Sequence, residues 1–184
     1  MSNRFTTTDS CLLVIDVQGR LAELMHQKQA LYHHLSIMIQ AAQVLKLPIH
    51  WFEQYPKGLG STQPGIKSLL EGAQASYHEK MTFSACGTDG FQAFLDRSNR
   101  RQFIVTGIEA HVCVYQSVLD LLAMGHPVKV NQQAVSSRLK SNKKLGLHNM
   151  QQAGAELTST EMVLFELMQT AEHPNFKTIS KLLK

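Results

Sequence analysis

This chain is short of the features that usually identify a protein at a glance. It has one Trp and three Cys in 184 residues, and no G-x-G-x-x-G or Walker run follows any apolar stretch. No apolar run approaches the ~18 residues needed to span a bilayer, which excludes a helical membrane protein. The missing glycine-rich loops turn the reading away from nucleotide binding. Cys11, Cys86 and Cys113 are odd in number and lack the close pairing of a zinc knuckle or a C-x-x-C redox motif, so free thiols in a reducing compartment are expected. The first nine residues hold no apolar signal core, and the run that follows is broken at Asp16, which makes the cytoplasm the expected location. The net charge of +4 comes from scattered Lys and Arg, with short clusters at Arg97, Arg100, Arg101 and at Arg138, Lys140, Lys143, Lys144. Nucleic-acid binding favours a concentrated basic stripe with interleaved aromatics, so these clusters read as solvated surface and no nucleic-acid partner is expected.

What is present is an alternation of apolar runs and helical periodicities within a length that suits one domain, residues 1–184. Residues 11–15 form a continuous apolar run ending at Asp16, the pattern of a strand buried on both faces. Leu31, Leu35, Met38, Ile39, Ala42 and Leu45 recur at helical spacing, predicting a helix over about 28–46. Further strands are expected at 49–52, 76–79, 103–106, 127–130 and 155–158. Helices are expected after Thr88, from Cys113 to a C-cap at Gly125, over 141–153 and over 160–170. The segment 55–65, with Pro56, Gly58, Gly60, Pro64 and Gly65, reads as loop. An apolar helical tail at 174–184 docks on the domain or on a partner. The expected architecture is α/β, a three-layer αβα sandwich with a mostly parallel Rossmann-like sheet of about six strands.

In such sheets ligands collect at the carboxyl ends of the strands. Asp16, Lys80 and Cys113 each fall at such an end and together supply a base, a cation and a nucleophile. Cys113 opens a helix, where backbone N–H groups favour an anion and draw a thiol toward thiolate. Taken singly, each has a plainer reading: a core cysteine, a turn-forming aspartate, a surface lysine. His111 is two residues from Cys113 in sequence and points elsewhere, so it is not read as the base.

Val14-Ile15-Asp16-Val17-Gln18, Glu79-Lys80-Met81-Thr82-Phe83-Ser84 and Val105-Thr106-Gly107-Ile108-Glu109-Ala110-His111-Val112-Cys113-Val114 resemble the three signature segments of the isochorismatase-like cysteine hydrolases, over about residues 9–170. The resemblance implies an Asp16-Lys80-Cys113 triad and a cis peptide between Ile108 and Glu109. It also implies an oxyanion site made by the backbone N–H groups of Glu109 and Cys113, with Glu109 contributing mainly through its backbone. Where nicotinamidases of the family carry an Asp-x-His metal pair, this chain has Glu53-Gln54-Tyr55. The resemblance is therefore to the metal-free, uncharacterised branch, with no metal and no organic cofactor expected. Gln18 and Phe83 are pocket candidates, and Cys86 stands where relatives place a larger residue.

The implied function is hydrolysis of a small amide-like or related substrate through a thioester on Cys113, by a protein that self-associates as a dimer or larger. The competing reading is a binding or scaffold protein that retains the hydrolase fold without turnover.

Overall fold

Every strand of the central sheet runs in one direction. The computed structural model describes residues 4–184, and in it β1 (Ser10–Ile15), β2 (Ile49–Gln54), β3 (Ser76–Lys80), β4 (Gln102–Ile108), β5 (Val128–Ser136) and β6 (Glu156–Thr158) lie in the order β3-β2-β1-β4-β5-β6, all pairs parallel. The alternation of side chains along each strand decides which layer each residue joins. Leu12 and Val14 of β1 enter one core with Ile49, Trp51 and Ile104, while Cys11, Leu13 and Ile15 enter the other with Phe52, Phe103 and Val105.

Among the described residues the helices are α1 (Gly19–Glu23), α2 (Lys28–Val44), α3 (Pro56–Leu59), α4 (Pro64–Gly72), α5 (Asp89–Arg97), α6 (Cys113–Ala123), α7 (Lys140–Gln152), α8 (Thr160–Met168) and α9 (Phe176–Leu182). Helices α2, α4, α8 and α9 bury Leu35, Ile66, Leu164 and Ile179 in the first core; α5, α6 and α7 bury Phe91, Val118 and Met150 in the second. The result is the three-layer αβα sandwich that the alternating pattern implied. The tail helix α9 packs on α2 of its own chain, so the choice left open by the sequence falls to the domain itself.

The segment 55–65 differs from expectation. It holds α3 and the start of α4, because Pro64 occupies the first helical turn, where its missing N–H costs nothing, and the Gln63 side chain accepts from Ile66 N at 2.9 Å. Read as breakers, these residues are in fact a helix start. Strand β5 also runs six residues past the expected end, with a register shift against β4 between Val105 and Gly107.

The chain winds from β1 through β2 to β3 on one side and resumes with β4 on the other side of β1. That reversal opens a crevice beyond the carboxyl ends of β1 and β4. Gly107 lets the two strands meet there: its φ is +111°, and a Cβ on it would sit 2.1 Å from Ile15 O.

Candidate active site

Asp16, directly after β1, is 2% exposed and adopts φ +51°, a left-handed conformation that Asp tolerates better than most residues. Lys80 ends the edge strand β3 and is its buried residue, 4% exposed. An ammonium survives burial only when its charge and protons are met. Lys80 Nζ donates to Asp16 Oδ2 and Gln54 Oε1, each at 2.7 Å, and lies 3.0 Å from Phe83 O and 3.2 Å from Thr82 O. Asp16 Oδ1, by contrast, is buried with no hydrogen-bond partner. The Cys113 thiol is near enough to act on this carboxylate but makes no hydrogen bond of ordinary geometry to it, so Oδ1 stays unsatisfied.

Cys113 is the first residue of α6 and 8% exposed. The loop before it is fixed at several points. The Ile108–Glu109 peptide is cis, Ala110 N donates to Ser136 O at 2.8 Å, and Val114 N donates to Glu109 O at 3.3 Å. The backbone N–H groups of Glu109 and Cys113 donate to no protein acceptor among the described residues. Two backbone donors, those of Glu109 and Cys113, are therefore left unused in the loop that leads into α6, as the first turn of a helix permits.

The electrostatics correct one expectation. The helix start is expected to draw Cys113 toward thiolate, but its thiol is pushed up to about 12, first by burial and next by the negative charge of Asp16, which together outweigh the opposing pull of Lys80. Asp16 is likewise raised above its ordinary 3.8 by burial, against the opposing pull of Lys80. Both shifts run in the same direction: burial favours the protonated thiol and raises the proton affinity of the carboxylate beside it. Such a pair suits proton transfer during attack rather than a preformed thiolate.

Asp16 and Cys113 share a cavity of about 280 Å³ with Gln54, Phe83, Glu109 and Arg138, closed by Leu21, Leu59, Ile108 and Val112. Phe83, half exposed, is on its wall as expected. Gln18 is not. It is fully buried behind the wall, where its Nε2 donates to Gln54 O and Gly60 O and its Oε1 accepts from Gln54 N at 2.6 Å. Gln18 thus anchors Gln54, the side chain that shares Lys80 with Asp16.

Two residues escaped the sequence reading. Gln54 could have been found from its place at the end of β2, between the strands carrying Asp16 and Lys80. Arg138 belongs to the basic cluster that reads as solvated surface, yet its backbone N and its Nε donate to Glu109 Oε2 and Oε1 at 3.0 and 3.1 Å. The Glu109 side chain, 7% exposed, therefore holds Arg138 in addition to the backbone contribution expected of Glu109.

At the position of the metal pair, Glu53 is occupied by protein donors: Thr62 N at 2.6 Å, Thr62 Oγ1 at 2.7 Å and Tyr77 OH at 3.0 Å. His50 and His78 lie 3.1 Å apart, ring nitrogen to ring nitrogen, stacked among Phe52, Phe91 and Phe94. No group of three or more His, Cys, Asp or Glu gathers as a metal site among the described residues. His111 is engaged by Ser137 Oγ at 3.0 Å and Asn142 Nδ2 at 3.3 Å, away from the thiol. Cys86 is buried in the second core, off the cavity wall, so its replacement of a larger residue is packing.

The Isochorismatase domain matches residues 10–162 of this chain. Isochorismatase domain-containing protein 2 of Danio rerio is 38% identical over 181 residues, covering 98% of this chain and 89% of its own. The secreted isochorismatase effector Isc1 of Phytophthora sojae is 37% identical over 183 residues, covering 98% and 87%. Among solved structures, the MAR1 ribonuclease of Caenorhabditis elegans superposes with a TM-score of 0.90 at 35% identity, over 98% of this chain and 92% of that one. With its parallel αβα sandwich and the domain match over most of its length, this chain belongs to the isochorismatase family and is an isochorismatase-like hydrolase.

Proposed function

We propose that the chain is a single-domain cysteine hydrolase of small amide-like or related acyl substrates, acting through a thioester on Cys113. The observation that carries this reading is the unsatisfied Asp16 Oδ1, buried in the cavity it shares with the Cys113 thiol. An unpaired buried carboxylate oxygen is costly, and its persistence beside a thiol fits a proton acceptor. As Cys113 Sγ bonds to the acyl carbon, its proton passes to Asp16 Oδ1 and the carbonyl electrons move onto oxygen, which the Glu109 and Cys113 N–H groups receive. Collapse expels the leaving group, which takes the proton from Asp16. Water then attacks the thioester, gives a proton to Asp16, and the sulfur leaves and recovers it. Lys80 holds Asp16 in place and ionised; no metal or organic cofactor enters the scheme.

A cavity of about 280 Å³ with apolar walls favours a small molecule over a nucleic acid. Free, buried thiols favour a reducing compartment such as the cytoplasm, although the Phytophthora relative is named as secreted. No helix is long and apolar enough to cross a membrane among the described residues. Self-association belongs to the same proposal, supported by Leu139 and Leu145, both more than half exposed beyond Arg138.

The test is a panel of small amides, esters and an RNA oligonucleotide with intact protein and with Cys113→Ala. Turnover with an acyl adduct on the Cys113 peptide, lost in Cys113→Ala and kept in Cys86→Ala, supports the hydrolase. Cleavage of RNA that survives Cys113→Ala overturns it in favour of the activity named for the nematode relative. Ligand binding with no turnover and no adduct favours the scaffold.

A further inference from the structure

Arg138 stands apart from the other residues around Cys113. It is the cationic side chain among the described residues lining the cavity, and its side chain is 56% exposed, whereas Asp16 and Cys113 at the base are almost fully buried. A guanidinium has five N–H donors. Glu109 takes only the Nε edge, and it also takes the backbone N of Arg138, so the side chain is pinned at two points. Nη1 and Nη2 donate to no protein acceptor among the described residues. What remains is a forked pair of donors held at the mouth of a cavity whose far end carries the thiol.

We infer that Arg138 is a carboxylate subsite, so that the substrate presents its scissile carbonyl to Cys113 at the base and an anionic group to Arg138 at the mouth. The inference rests on the hydrolase reading and names its substrate class. Three observations support the assignment. Planar fork geometry matches a carboxylate through two parallel hydrogen bonds. The ion pair with buried Glu109 fixes the guanidinium before any ligand arrives, so less side-chain freedom is lost on binding. Asp16 opposes any anion at the base, which orients such a substrate with its charged end outward. Glu109 links the two ends, since its side chain holds Arg138 and it lines the same cavity as Cys113.

The test needs no knowledge of the natural substrate. Iodoacetate and iodoacetamide alkylate thiols identically except that one carries a carboxylate where the other carries a neutral amide. Their rates at Cys113 are measured by peptide mass spectrometry, at low and high salt, in the wild type, Arg138→Met and Arg138→Lys. The readout is the iodoacetate-to-iodoacetamide ratio, which cancels any general change in the thiol. The ratio should fall about tenfold from the wild type to Arg138→Met, as expected for losing a charged hydrogen-bonded pair, and recover only partly in Arg138→Lys. Equal ratios in the wild type and Arg138→Met, with Cys113 alkylated by iodoacetamide, overturn the subsite and leave the hydrolase standing. Alkylation of Cys113 by neither reagent overturns the hydrolase, and the subsite with it.

Discussion

The ion pair between Lys80 and Asp16 is one-sided: Nζ sits 2.7 Å from Oδ2, and Oδ1 is left buried without a donor. One oxygen of the carboxylate holds its position, and the other is available to the thiol. The remaining acceptors on Lys80, led by Gln54 Oε1 at 2.7 Å, make the cation a fixed support rather than a mobile participant.

Replacing the base should therefore separate reactivity from turnover. In Asp16→Asn the negative charge that raises the Cys113 thiol is gone, so the thiol should titrate below about 12 and alkylate faster at mildly alkaline pH. Turnover should nevertheless fall about 10²–10⁴-fold, the usual worth of a positioned acid–base group. Parallel pH profiles of iodoacetamide labelling and of turnover check both halves; labelling that slows in the variant would count against the assignment.

Lys80→Met should destabilise the fold by about 3 kcal/mol, because it strands a buried carboxylate. The double variant Asp16→Asn/Lys80→Met should recover much of that loss, since it removes both charges together. Urea unfolding of the two singles and the double measures the coupling.

Gly107→Ala should cost on the order of 3 kcal/mol, combining backbone strain with a forced contact. The Cβ would lie 2.1 Å from Ile15 O at a φ of +111°. Because β1 and β4 carry Asp16 and the Cys113 loop beyond this point, the variant that does fold should also show reduced labelling of Cys113.

The buried His50, stacked on His78, sets an acid limit on stability. Burial, and secondarily His78, pushes His50 from 6.5 down to about 3, so the folded state keeps it neutral. The unfolded chain binds its proton more readily throughout the window between those values. Stability is therefore complete above about pH 6.5 and lost progressively as the pH falls toward 3, by about 2 kcal/mol at about pH 5 from this one residue. Thermal melts from about pH 7 to 5 should show the decline, and the slope should lessen in His50→Phe, whose ring fills the same space without titrating.

How much of this was legible beforehand depends on the range over which each residue acts. The buried strand at 11–15, the helix of Leu31, Leu35 and Met38 and the helix opening at Cys113 are local patterns, and they appear where hydrophobic period places them. The helix at Pro64 was missed because Pro and Gly act as breakers inside a helix but as initiators at its first turn, and the cap from Gln63 tips the balance. Gln18, expected at the pocket, instead faces the end of β2, because the backbone direction in the two residues after Asp16 decides which way its side chain turns.

The sequence by itself determined the alternating α/β order, and with it the placing of Asp16 and Lys80 at strand ends and of Cys113 at the start of a helix. Those follow from local periodicity and composition. Only the tertiary structure decided that Asp16 keeps one oxygen free, that burial and Asp16 push the Cys113 thiol up, and that Arg138 pairs with Glu109, 29 residues away in sequence. Proton affinities and ion pairs depend on burial and on distances of a few ångströms, and these are set by which chain segments the sheet brings side by side.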